Sequence, residues 1–101
     1  MRIVLVMAPP DKADDLARIL VAEQLAACVN VVPDVTSHYI WEGRQEADAE
    51  SLMMAKVPVG KLGAFTDRVK ALHPYEVPEV VALEVTGGNP AYLDWVKRGG
   101  G

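Results

Sequence analysis

Seven consecutive residues hold most of the reactive chemistry in this chain: His73-Pro74-Tyr75-Glu76-Val77-Pro78-Glu79. An imidazole, a phenol and two carboxylates in one short run could ligate a metal ion or move a proton. Each proline fixes its own φ and holds the preceding residue out of the helical region. The polar side chains therefore project from a rigid joint. The plainer reading of the same run is a helix stop followed by a strand start. Other ligand-type residues are scattered: Met7, Cys28, His38 and the pair Met53-Met54. Thiolate and thioether suit copper(I) and imidazole suits copper(II). No two of these residues have the spacing of Cys-x-x-Cys or His-x-x-x-His. The metal candidates are His73 and, behind it, Cys28. Cys28 reads more readily as a small buried residue at a strand start, His38 as a surface or interface residue, and Met53-Met54 as core filling. No Ser or Cys sits in a nucleophile elbow, and Gly60 and Gly63 lack the lysine and serine that complete a phosphate loop. No catalytic constellation is recognisable, and the chain is read as a non-enzyme.

The elements that position the joint follow from periodicity. Ile3–Met7 is a continuous apolar run, read as a central buried strand that Pro9-Pro10 ends. Asp11 is placed as the N-cap of a helix whose apolar face is Ala13, Leu16, Ala17, Leu20, Val21 and Gln24. Cys28–Val32 begins a second strand, Pro33-Asp34 bends it, and Val35, Ser37, Tyr39 and Trp41 share one side beyond the bend. Glu42-Gly43 turns the chain into a third strand from Arg44. Its early half alternates acid with alanine, suiting a solvated face, and Leu52–Val57 is apolar enough for core. Leu62, Phe65, Val69 and Leu72 form one helical stripe ending at the joint. Glu79–Val85 is a fourth, buried strand. Asn89 caps a short last helix with Pro90 at its first position.

This order is the split βαβ plan: an α+β, ferredoxin-like domain with two helices on one face of an antiparallel sheet. It occupies residues 1–101 as one domain, with Gly99–Gly101 a loose tail. The chain has 101 residues, half of them hydrophobic, and a formal charge of −4. That allows one modest core and argues against nucleic acid as partner. One cysteine permits no internal disulfide, which suits a reducing compartment. The apolar run at the N-terminus is too short for a membrane span or a signal-peptide core. A cytoplasmic protein is expected.

The hairpin of the second and third strands is about fourteen residues a side, where ~3–10 is usual. Two helices cannot cover it, and Tyr39, Ile40 and Trp41 lie on the uncovered part. Exposed aromatic residues on a long ribbon invite association, so an oligomer sealed through this hairpin is inferred.

Four stretches carry a resemblance to the CutA divalent-cation-tolerance family: Glu23–Pro33, Thr36–Gly43, Val69–Val80 and Tyr92–Trp95. The resemblance implies a ferredoxin-like subunit in a trimer similar to the P-II signalling proteins, with a role in tolerance of copper or another divalent ion. It also implies metal ligands at a Cys ending the first strand and at two adjacent His before Pro-Tyr. Here those positions are Met7 and Leu72-His73, so His73 alone matches. In such a homotrimer, Tyr39 and Trp41 of one hairpin would meet His73, Tyr75 and Glu79 of the next subunit, with Lys56 nearby. This would form an inter-subunit pocket for a metal ion or small ligand. No cofactor is needed for folding. The alternative is a P-II-like regulatory module that binds a partner protein or anionic metabolite, with metal incidental.

Overall fold

Breaks in the apolar pattern set the elements. The computed structural model describes residues 1–101. The elements are β1 (Arg2–Ala8), α1 (Ala13–Ala22), β2 (Cys28–Trp41), β3 (Arg44–Val57), α2 (Leu62–Leu72), β4 (Val80–Glu84) and α3 (Pro90–Lys97), with a 3-10 turn at Val59–Lys61 before α2. The strands form one antiparallel sheet in the order β2-β3-β1-β4, the split βαβ plan. Registered neighbours share a face. Val4, Val6 and Ala8 lie beside Ala55, Met53 and Ser51. All but Ser51 join a core with Leu16 and Leu20 of α1 and Phe65 and Val69 of α2. Ala13, Leu16, Ala17 and Leu20 of the first expected stripe, and Leu62, Phe65, Val69 and Leu72 of the second, are the packing faces of the two helices.

Both ends of α1 differ from expectation. Its N-cap is Lys12, with no side-chain cap. The Pro9 carbonyl instead accepts the N–H groups of Lys12 and Ala13, so the turn after β1 removes the need for Asp11. The helix ends at Ala22, and Gln24 takes a left-handed φ of 60°. Leu25 N–H bonds the Leu20 carbonyl and Gln24 N–H the Val21 carbonyl, a Schellman closure made without glycine. Gln24 therefore leaves the helical face, and Val21 is exposed.

The long hairpin is as expected. β2 and β3 each span 14 residues. The register shifts between Val32 and Val35, where Asp34 has φ 62°. Glu42 and Gly43 both have positive φ, giving a two-residue turn whose twist matches the strands. The hairpin stretches the molecule to 45 Å. Its radius of gyration is 14.1 Å, against about 13 Å for a compact domain of this length.

β4 departs from its expected burial. It pairs with β1 at the sheet edge, and Val81 and Leu83 are 45% and 47% exposed. The reason is register. Both stand beside Leu5 and Ile3, on the face that no helix covers. That face also carries Met7, Leu52, Met54 and, at its margin, the exposed Val32.

Of the C-terminal glycines, Gly99 and Gly100 are bonded back to the last helix. Asn89 caps α3 by accepting from Ala91 N–H at 3.1 Å, with Pro90 first in the helix. At the far end Gly99 N–H bonds the Val96 carbonyl and Gly100 N–H the Trp95 carbonyl. Both glycines have left-handed φ, so they form a second Schellman closure that packs Gly100 against Trp95.

Candidate functional site

Pro74 stops α2, and His73 is already extended (φ −73°, ψ 138°). The β1–β4 ladder ends at the Val6–Val80 pair, one residue short of Met7. The His73 imidazole takes over beyond that point: its Nε2–H donates to the Met7 carbonyl at 2.7 Å. Nδ1 accepts the Tyr75 N–H at 3.1 Å. The second bond requires a bare Nδ1, so the proton sits on Nε2. His73 is 7% exposed, with the Tyr75 ring 4.7 Å away. Both ring nitrogens are thus committed to the backbone. For His73 to serve as the metal ligand expected from the sequence, one of these two buried hydrogen bonds would have to break.

From that anchor the joint leans over the hairpin. The Tyr75 hydroxyl donates to Glu50 Oε2 at 2.9 Å, and the Tyr39 hydroxyl donates to Asp48. Between them lies a groove of about 630 Å³ lined by Met7, Ser37 and His38, the aromatic rings of Tyr39, Trp41 and Tyr75, and the carboxylates Asp48, Glu50, Glu76 and Glu79. No lysine or arginine lines it. Burial first, then the bond to the Glu50 carboxylate, pushes the Tyr75 phenol up to about 12. At Tyr39 the bond to Asp48 comes first, with the same result, up to about 12. Both phenols are neutral donors at ordinary pH. They hold one oxygen of each carboxylate in place and leave the groove negative.

Of the pocket residues expected from the sequence, Tyr39, Trp41, Tyr75 and Glu79 come together, and His73 lies beneath them as their anchor. They line one groove within a single chain, because the hairpin folds back beside its own joint. Lys56 belongs elsewhere. It lies about 20 Å along β3 from Glu50, at ~3.4 Å per residue, and donates to Asn30. Cys28 is opposite Lys56 in the register, half-buried on the uncovered face rather than in the core. No three His, Cys, Asp or Glu side chains converge closely enough to hold a metal ion.

Sequence reasoning missed Asp48 and Glu50. The alternating acids of β3 read as a solvated face, yet Glu50 is 6% exposed and the alanines between the acids are exposed. The signal that would have found them is register. With Trp41 opposite Arg44, the side chains of Tyr39, Ser37 and Val35 stand beside Glu46, Asp48 and Glu50. No helix is long and apolar enough to cross a membrane.

Residues 2–99 match the family described as CutA1 divalent ion tolerance protein. A Xenopus laevis relative named Protein CutA homolog is 52% identical over 84 residues, covering 83% of this chain and 56% of its own. The chain spans about half the length of its frog, mouse and rice relatives. Among solved structures, the divalent cation tolerance protein (Cut A1) of Thermus thermophilus superposes with a TM-score of 0.95 at 46% identity, covering 100% of both chains. A Nostoc protein described as the PII-like protein CutA superposes with a TM-score of 0.94 at 40% identity, covering 98% of this chain and 96% of that one.

Proposed function

The chain belongs to the CutA1 divalent ion tolerance family, and from that premise we propose that it acts in divalent-cation tolerance as a cytoplasmic homotrimer. In this reading the groove between hairpin and joint takes a positively charged ligand: copper, another divalent ion or a small organic cation. The observation that carries it is the lining, four carboxylates and three aromatic rings with no lysine or arginine. A negative groove attracts cations and repels an anionic metabolite. This favours the cation reading over the P-II-like alternative, whose support is fold likeness to the Nostoc protein.

Two features support the oligomer. Ile3, Leu5, Met7, Leu52, Met54, Val81 and Leu83 share a sheet face that no helix covers, and the half-exposed Trp41 stands on the projecting hairpin. A contiguous apolar face of this kind marks an association surface. In this reading the groove binds a ligand, and His73 supports it as an anchor with both ring nitrogens bonded to the backbone.

The experiment is titration of the metal-stripped protein with copper, zinc, a monovalent amine and common anions, alongside sedimentation. Saturable binding of a cation, lost in Glu50→Gln, is expected. Binding of anions alone, or a monomer at micromolar concentration, would overturn the corresponding half of the proposal.

A further inference from the structure

The groove is the cavity whose chemistry most narrowly limits its occupant. Glu50 is 6% exposed, so its carboxylate is largely withdrawn from bulk water. The chain's ion pairs are Arg18–Asp15 and Arg68–Glu23, so no cation of its own neutralises Glu50. Oε2 accepts from Tyr75, whereas Oε1 has no donor and is not sealed inside the protein, which leaves it open to the groove. A buried carboxylate with one phenol donor and no countercharge is costly unless a cation completes it.

Three further observations define that cation. The phenol hydrogens of Tyr39 and Tyr75 are already donated, to Asp48 and Glu50, so their oxygens have only lone pairs to offer. With the carboxylates of Glu76 and Glu79, the lining is rich in acceptors and suits a ligand rich in N–H donors. The rings of Trp41, Tyr39 and Tyr75 supply apolar walls and faces that attract an alkylammonium group. The cavity of about 630 Å³ is sized for an organic molecule, and no three ligating side chains converge on one point as a bare metal ion requires.

We infer that the groove is a receptor for an organic ammonium ion, its charged nitrogen on Glu50 and its carbon body between Trp41 and the two tyrosines. The inference rests on the reading of the groove as a cation site and names the class of cation. Asp48, Glu76 and Glu79 add long-range attraction and admit a second amine on a longer ligand. Selectivity follows from the lining: a neutral analogue leaves Glu50 uncompensated, and an anionic one is repelled.

The test uses three probes with nearly the same body: 2-phenylethylammonium, neutral 2-phenylethanol and phenylacetate, with Zn²⁺ as the metal arm. Binding is read by calorimetry and by Trp41 fluorescence in a Trp95→Phe background. The amine is expected to bind saturably and at least about ten-fold more tightly than either analogue, as expected for a charge-assisted contact in a partly desolvated site. Glu50→Gln should remove most of that preference, and Trp41→Leu should weaken binding while keeping it. Should Glu50→Gln misfold, Glu79→Gln serves as a milder second variant, with a smaller loss expected. Equal binding of the three organic probes overturns the inference. So does Zn²⁺ that saturates in a Glu50-dependent way while the amine does not bind, though the wider cation reading then survives. If neither amine nor Zn²⁺ binds, both readings fall. If no probe binds and Glu50→Gln instead makes the oligomer dissociate, the occupant is a cationic side chain of a second copy and the inference is overturned.

Discussion

His73→Leu separates an anchoring histidine from a ligating one. The substitution removes two hydrogen bonds, from Nε2–H to the Met7 carbonyl at 2.7 Å and from Tyr75 N–H to Nδ1 at 3.1 Å. It leaves a carbonyl and an amide without their partner beside a side chain that was 7% exposed. An orphaned buried group costs about 1–3 kcal/mol. Two such losses, offset in part by the apolar gain of leucine, come to about 3 kcal/mol. In a domain of about 100 residues 1 kcal/mol moves Tm by about 4–8 °C, so a fall on the order of 12–24 °C is expected. Oligomerisation shifts Tm with concentration, so both proteins are compared at the same subunit concentration, stripped of metal. A second effect follows from the loss of the anchor: Tyr75 loses its hold on Glu50, and the groove loses one wall. A His73→Leu protein that melts with the wild type when metal-free, yet loses a metal-dependent rise in Tm, would refute the anchoring role and restore the ligand.

Three further outcomes are expected. The phenols of Tyr39 and Tyr75 are raised from 10 to about 12. Their native interactions therefore contribute fully below pH 10 and are lost as pH rises through about 12. Absorbance at 295 nm should lag behind the unfolded chain, and Glu50→Gln should bring one tyrosine back toward its ordinary value. Leu83→Asp places a charge on the uncovered sheet face next to Ile3 and, by desolvation of an unpaired carboxylate, should yield a folded monomer; an intact oligomer in sedimentation would remove that face from the interface. Gly100→Ala builds a Cβ 3.2 Å from the Ala27 carbonyl oxygen and 3.2 Å from the Trp95 ring, at φ +81°. It should cost about 1–2 kcal/mol from the left-handed backbone alone, and an unchanged melting curve would make the terminus a loose tail after all.

The local features were legible in the amino-acid order because they depend on neighbours along the chain. The strand–helix alternation, the Pro33-Asp34 bulge, the Glu42-Gly43 turn, the Asn89-Pro90 helix start and the halt of α2 at His73 all appear where the residues placed them. Proline, asparagine and apolar periodicity act within a few residues of themselves. The Tyr39, Trp41, Tyr75 and Glu79 group was also visible, as aromatic residues on an uncovered ribbon and polar ones on a rigid joint. What the sequence left open was anything decided by pairing across the sheet. Glu50 looks solvated in a run of alternating acids, and it is buried because the register sets it beside Val35 and beneath Tyr75. Nothing in the run around His73 announces its bond to the Met7 carbonyl, which forms because the β1–β4 ladder stops one residue short of Met7. Lys56 and Cys28 are at the far end of the same sheet, and Val81 and Leu83 of β4 are half-exposed because the register sets them beside Leu5 and Ile3, away from the core face. Hydrogen-bond partners and burial belong to residues that meet only after the chain has folded, so the tertiary structure alone assigns them.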